Sequence, residues 1–150
     1  MGTAFFAIFQ EDGSSEKEFM SVEFFHCGTF TKYVNNNGNI ERVNNDSKLQ
    51  QAVALVHYSY AYSNRKILLT DIQGIVTCLF DPEIASVEGP YQTDKETSQE
   101  KLMYTIGNCA YNAEKTFFRD HRCGEFCRAL EIEDTKPNGS VNILHNDEHH

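Results

Sequence analysis

The segment HRCGEFC, residues 121–127, constrains this chain more than any other stretch. His121, Cys123 and Cys127 stand at steps of two and four. Soft donors this close together suit a tetrahedral structural metal site, which takes four N or S ligands and keeps no open position. On a helix, Cys123 and Cys127 share a face, and His121 just before them turns inward. Three ligands need a fourth from elsewhere. Residue type nominates Cys27, Cys78, Cys109, His26 and His57. His57 is attractive because it falls on or beside an apolar helical face, where an unpaired imidazole is costly to bury. The competing reading makes Cys123 and Cys127 small core residues, since H-x-C-x3-C is not a standard zinc spacing.

With 150 residues, 40% of them hydrophobic and eleven of them Phe, the chain can bury one real core. Its net charge of -9 argues against nonspecific nucleic-acid binding, which needs a basic patch. No apolar run approaches the roughly 18 residues of a membrane span, so no membrane partner is expected. The opening MGTAFFAIFQEDG lacks the basic n-region of a signal peptide. Five cysteines, an odd number not spread as a framework, read as reduced thiols and a cytoplasmic location.

Along the chain, AFFAIFQ (4–10) reads as a buried strand and FMSVEFF (19–25) as its hairpin partner across a polar turn. A short strand containing Lys32 leads to Asn35, Asn36, Asn37 and Gly38, residues that tolerate positive φ and so predict a tight turn. Residues 47–63 repeat apolar side chains at helical steps through Leu49, Ala52, Val53, Val56 and Tyr60, with Ser47 as the candidate N-cap. KILLTDIQ and GIVTCLF read as a strand pair separated around Gln73–Gly74 and ended by Asp81–Pro82. Residues 86–101 read as a polar loop. Residues 112–130 read as one helix or two short ones, with Gly124 weakening the middle. The acidic stretch from Glu131 on reads as linker or flexible tail.

A second constellation is Asp71, Gln73 and Asp81. Carboxylates rarely follow an apolar strand such as ILLT without a partner. If the strand continues, Gln73 shares a side with Asp71, and Asp81 comes alongside from the next strand. Two carboxylates and an amide oxygen are hard ligands suited to Mg2+ on substrate phosphates, and one Asp is able to accept a hydroxyl proton instead. The plainer reading is that both aspartates cap turns.

Taken in order, GTFTKYVNNNGNI, HYSYAYSNRKILLTDIQGIVTCLFDPEIAS and FFRDHRCGEFC resemble the alpha-kinase family of atypical Ser/Thr protein kinases. DIQG, the DP ten residues after its Asp, and the terminal H-x-C-x3-C appear in the family's order, with fourteen residues from His57 to Asp71. The resemblance spans roughly residues 4–132 and leaves 133–150 as a flexible acidic tail. It implies an α+β fold: an alpha-kinase-like C-terminal catalytic lobe with an incomplete N-terminal lobe and a structural zinc site. It implies that His57 completes the zinc site with His121, Cys123 and Cys127. It implies that Asp71 is the catalytic Asp, and that Gln73 and Asp81 hold Mg2+ on the phosphates of ATP. Glu23 would be the hinge acid beside adenine, Phe25 the nearby hinge position, and Lys32 a lysine near the nucleotide.

Two departures accompany the resemblance. The family's phosphate-binding loop and phosphate lysine belong ahead of AFFAIFQ, where three residues stand, and Lys17 does not match. The glycine-rich substrate loop becomes GNCAYNA, keeping Gly107 beside Asn108 but placing Ala110 and Ala113 at later positions. The expected function is an alpha-type protein Ser/Thr kinase, using ATP, Mg2+ and structural Zn2+ on a protein substrate, with a partner chain covering the lobe that is short here. The alternative is a catalytically inactive, zinc-stabilised kinase remnant that acts as a partner-binding module.

Overall fold

The computed structural model describes residues 4–13, 15–42, 47–75, 78–86, 88–89, 91–94, 97–104, 107–135 and 137. The chain opens with β1 (Ala4–Phe9) and β2 (Glu18–Glu23), an antiparallel pair in which Phe5 faces Val22 and Ile8 faces Phe19. The hairpin matches the alternation in the sequence, but the expected burial does not. All of β2 is exposed, and Phe6 of β1 is 91% exposed. The strand period fixes pairing without specifying what covers either face. β2 also stops at Glu23, leaving Phe24 and Phe25 beyond it.

β3 (Phe30–Val34) leads into the asparagine turn. The Gly38 amide donates to the Asn35 carbonyl at 3.0 Å, and the Asn39 amide donates to the side-chain oxygens of Asn35 and Asn37. Gly38 is needed here: its φ is +83, and a Cβ would collide with the Ala113 carbonyl.

α1 (Ser47–Tyr62) buries Ala52, Val53, Ala54, Val56, His57 and Tyr60, the face its three- and four-residue steps predict. Ser47 is its first helical residue. Serines near its C-terminal end join it to the next strand, β4 (Ile67–Thr70). The Leu69 amide donates to Ser59 Oγ and the Ile67 amide to Ser63 Oγ, each at 2.9 Å.

KILLTDIQ is not one strand. β4 ends at Thr70 and β5 (Ile72–Ile75) begins after Asp71, whose φ is 52. β5 pairs antiparallel with β3 on one side and β6 (Cys78–Phe80) on the other, whereas β4 pairs with β7 (Glu83–Ser86). The break therefore lies at Asp71. Gly74, read as part of the strand separation, instead sits inside β5, where a Cβ would collide with the Cys78 carbonyl. The expected loop over 86–101 also contains strand: β8 (Tyr91–Thr93) pairs with β9 (Glu100–Leu102).

Two helices follow, α2 (Ala110–Asp120) and α3 (Glu125–Ala129), with Gly124 as the N-cap of α3. The main core unites α1, α2 and the sheets through Val34, Val53, Val56, Leu68, Ile72, Ala85, Phe117 and Phe118. Burying each large apolar side chain is worth about 1.5–3 kcal/mol, so this layer, not the β1–β2 hairpin, carries the fold. Ala54, Cys127 and Ile132 make a smaller cluster under α3. The expected tail is corrected at its start: Ile132 is buried and Glu133–Thr135 forms a 3-10 turn. His145, His149, His150 and most of the predicted tail lie outside the described residues. No described helix is long and apolar enough to cross a membrane.

Candidate metal centre and candidate active site

His57 reaches the HRCGEFC segment from the middle of α1. Its Nδ1 lies 3.0 Å from His121 Nε2 and 3.8 Å from Cys123 Sγ. His121 Nε2 is 3.6 Å from Cys123 Sγ and 3.7 Å from Cys127 Sγ. One ligand atom from each of the four residues falls within 4.8 Å of every other. With Zn–N near 2.0–2.1 Å and Zn–S near 2.3 Å, tetrahedral edges are about 3.3 Å for N–N and about 3.6 Å for N–S. The cluster has these dimensions and this donor chemistry, so it fits a single tetrahedral N2S2 ion.

Local structure explains the convergence, and it differs from the one-helix expectation. His121 is the C-cap of α2, with extended ψ of 132, and Cys123 lies in the link before α3. Only Cys127 is on the following helix. Ending α2 lets the chain double back, so residues two and four apart surround one point. Phe117 stacks on the His121 ring at 4.9 Å, and Phe118 meets the His57 ring edge-on at 5.3 Å. Burial pushes the Cys127 thiol above its ordinary pKa, with the neighbouring Cys123 adding to the rise and a Gly124 backbone bond opposing it. A cation at the centre reverses that preference, because the thiolate is the ligand form. Cys27, Cys78 and Cys109, candidates by type, are outside the cluster, as is His26, which lies against Phe80.

On the sheet side, Lys32 Nζ lies 2.6 Å from Asp71 Oδ1, and Gln73 Nε2 donates to Asp71 Oδ2 at 3.0 Å. The β3–β5 register makes this possible by setting Lys32 directly opposite Gln73. The strand does not continue through Asp71 as expected. The left-handed turn of Asp71 itself brings its carboxylate back over Gln73. Asp81 is also left-handed, with φ 44. Asp tolerates this region better than most residues, yet two such positions at strand ends store backbone strain of the kind concentrated at functional sites. β6 pairs Phe80 with Gln73, so Asp81 follows directly on the residue opposite Gln73. Asp81 is exposed.

The other expected positions lie elsewhere on the fold. Glu23 ends β2 and Phe25 lies two residues beyond it, and both are exposed. Asn108 clamps β7: its Oδ1 accepts from the Ser86 amide and its Nδ2 donates to Ser86 Oγ, both at 2.9 Å. Gly107 lies against the Glu83 carboxylate, where a Cβ would collide. Two connections escape a reading of the sequence. Tyr60 Oη donates to buried Glu114 at 2.8 Å, across 54 residues. Thr135 Oγ1 lies 2.9 Å from His57 Nε2, across 78. The alternation and periodicity that mark elements carry no signal for either.

Comparison with known proteins agrees with this architecture. The Alpha-kinase family profile matches residues 3–127. The rat "Transient receptor potential cation channel subfamily M member 7" is 30% identical over 124 residues, covering 83% of this chain and 6% of the relative. "Alpha-protein kinase 1" of Dictyostelium discoideum is 30% identical over 121 residues, covering 81% of this chain and 8% of the relative. The solved apoenzyme alpha-kinase domain of myosin-II heavy chain kinase A superposes with a TM-score of 0.64 at 24% identity, covering 83% of this chain and 42% of that one. The fold is thus that of an alpha-kinase domain. The chain belongs to the alpha-kinase family, spans less than half of that solved domain, and covers under a tenth of these two curated relatives.

Proposed function

We propose that this chain is the catalytic-lobe portion, over residues 4–132, of an alpha-type Ser/Thr protein kinase acting on a protein substrate in the cytoplasm. The observation that carries the proposal is the Lys32–Asp71–Gln73 group at a strained strand break, with Asp81 at the adjoining strand end. Phosphoryl transfer asks for positioning and charge neutralisation more than covalent chemistry from the protein. Asp71 holds the substrate hydroxyl and accepts its proton. Lys32 anchors the Asp71 carboxylate. Gln73 donates its Nε2 to Asp71, and its Oε1, which only accepts, is assigned to a cation. Mg2+, when bound by Gln73 and Asp81, supplies charge neutralisation at the ATP phosphates. Solved relatives include a complex of the myosin heavy chain kinase A domain with AMPPCP, which supports nucleotide as the co-substrate. Glu23 and Phe25 are assigned to adenine, Gly107 and Asn108 to the substrate loop, and Zn2+ to His57, His121, Cys123 and Cys127 as a structural ion.

The test is phosphotransfer from labelled ATP to a generic protein substrate, with Asp71→Ala as control. We expect activity in the parent and a fall of at least about 100-fold in the variant, with unchanged zinc content and circular dichroism. The exposed aromatic hairpin favours a second reading, a non-catalytic remnant that binds a partner through that surface. A zinc-loaded, folded parent with no more turnover than Asp71→Ala would favour the remnant.

A further inference from the structure

The 3-10 turn Glu133–Thr135 lies beyond the matched family segment, yet it reaches back to α1. Thr135 Oγ1 is 2.6 Å from the Ile132 carbonyl and 2.9 Å from His57 Nε2. A hydroxyl has one hydrogen and two lone pairs. A carbonyl only accepts, so the Thr135 hydrogen goes to Ile132. The contact with His57 then needs a hydrogen from the imidazole: Nε2–H donates and Thr135 accepts. In a neutral ring this leaves Nδ1 as the lone-pair nitrogen. Nδ1 is also the atom that faces His121 and Cys123 in the cluster.

We infer that Thr135 is a positioning residue for the metal centre, which fixes His57 in the Nε2–H tautomer and aims its Nδ1 lone pair at the ion. Ligating histidines commonly use the second ring nitrogen in this way, bonding it to a group that sets tautomer and ring angle. Here the orienting group is a hydroxyl, and its own proton is committed by the backbone of the turn it belongs to. Ile132, buried under α3, anchors that turn. The segment after the last ligand is therefore part of the site.

This inference rests on the proposed metal reading, and its test separates the two. Zinc content of the purified parent comes first: a folded parent that takes up no zinc overturns the metal centre, and this role with it, before any substitution is made. Zinc affinity is then measured by competition with a chromogenic chelator for the parent, Thr135→Val and Thr135→Ser. Valine keeps the shape and removes the hydroxyl; serine keeps the hydroxyl. We expect Thr135→Val to bind about 10–100-fold more weakly and Thr135→Ser to stay near the parent. Equal affinity in Thr135→Val, or a serine variant as weak as valine, would overturn the hydroxyl's role. Proton NMR of the Co(II)-loaded parent gives a readout independent of any substitution. An exchange-protected, contact-shifted imidazole proton on His57 Nε2 is expected, and a proton on Nδ1 with cobalt on Nε2 would refute the assignment.

Discussion

The β1–β2 hairpin and the layer behind the metal cluster are both rich in aromatic residues, and they behave oppositely. Phe6 is 91% exposed in the hairpin, whereas Phe117 in α2 is fully buried. Both lie in segments whose pattern predicts regular structure, and both segments form it. The difference is the neighbour. Phe117 has α1, Phe118 and the His121 ring around it; the hairpin's two faces meet little of the described chain. Apolar content fixes what a residue gains from burial, but a second surface must be present for the gain to be realised. On the second reading proposed above, these exposed aromatics would take another polypeptide surface.

The contrast is testable, and its largest expected consequence is metal dependence. Stripping zinc with a strong chelator, or replacing Cys123 and Cys127 by Ser, should abolish cooperative thermal unfolding of the α1–α3 layer while hairpin signals stay unchanged. A melt that is unchanged after complete metal removal would break the comparison on the buried side. Next comes Phe117→Ala, expected to cost about 3–5 kcal/mol in denaturant unfolding. Phe6→Ala should stay within about 0.5 kcal/mol in the same assay, as exposed substitutions do. Equal losses at the two positions would mean that the hairpin is packed in solution.

A smaller effect belongs to the Tyr60–Glu114 bond. Burial first, then the Glu114 hydrogen bond and charge, push the Tyr60 phenol well above its ordinary 10.0. A raised folded-state value means that the neutral phenol is favoured in the fold. Its stabilisation is whole below about pH 10 and fades as pH rises further. Tyr60→Phe leaves the buried Glu114 oxygen without its donor and should cost about 1–3 kcal/mol, with a flatter alkaline limb. The smallest stability change is expected for Phe19→Ser on the hairpin, read instead as reduced self-association in sedimentation velocity. Unchanged association there would remove the case for an interaction surface.

Much of the candidate site is legible in the chain before any coordinates. His121, Cys123 and Cys127 announce themselves by donor type and proximity, and α1 by its apolar steps. The asparagine turn is legible because Gly38 and its neighbours suit positive φ. The break at Asp71 is not legible, because KILLTDIQ reads as one uninterrupted strand. Only the two ladders on either side, β4 with β7 and β5 with β3, force the left-handed turn between them. Thr135 is hidden for a related reason: a polar residue in a polar stretch gives no pattern.

What the sequence by itself determined is local: the strand and helix periods, the turn chemistry, the net negative charge, and the donors able to hold a metal. Tertiary structure decided which of several histidines and cysteines joins the cluster, that Lys32 meets Asp71, and that the aromatic hairpin stays uncovered. Local preferences act over a few residues through backbone sterics and neighbouring hydrogen bonds. Side chains 64 or 78 positions apart, such as His57 with His121 and with Thr135, become neighbours only when packing fixes the register of whole elements.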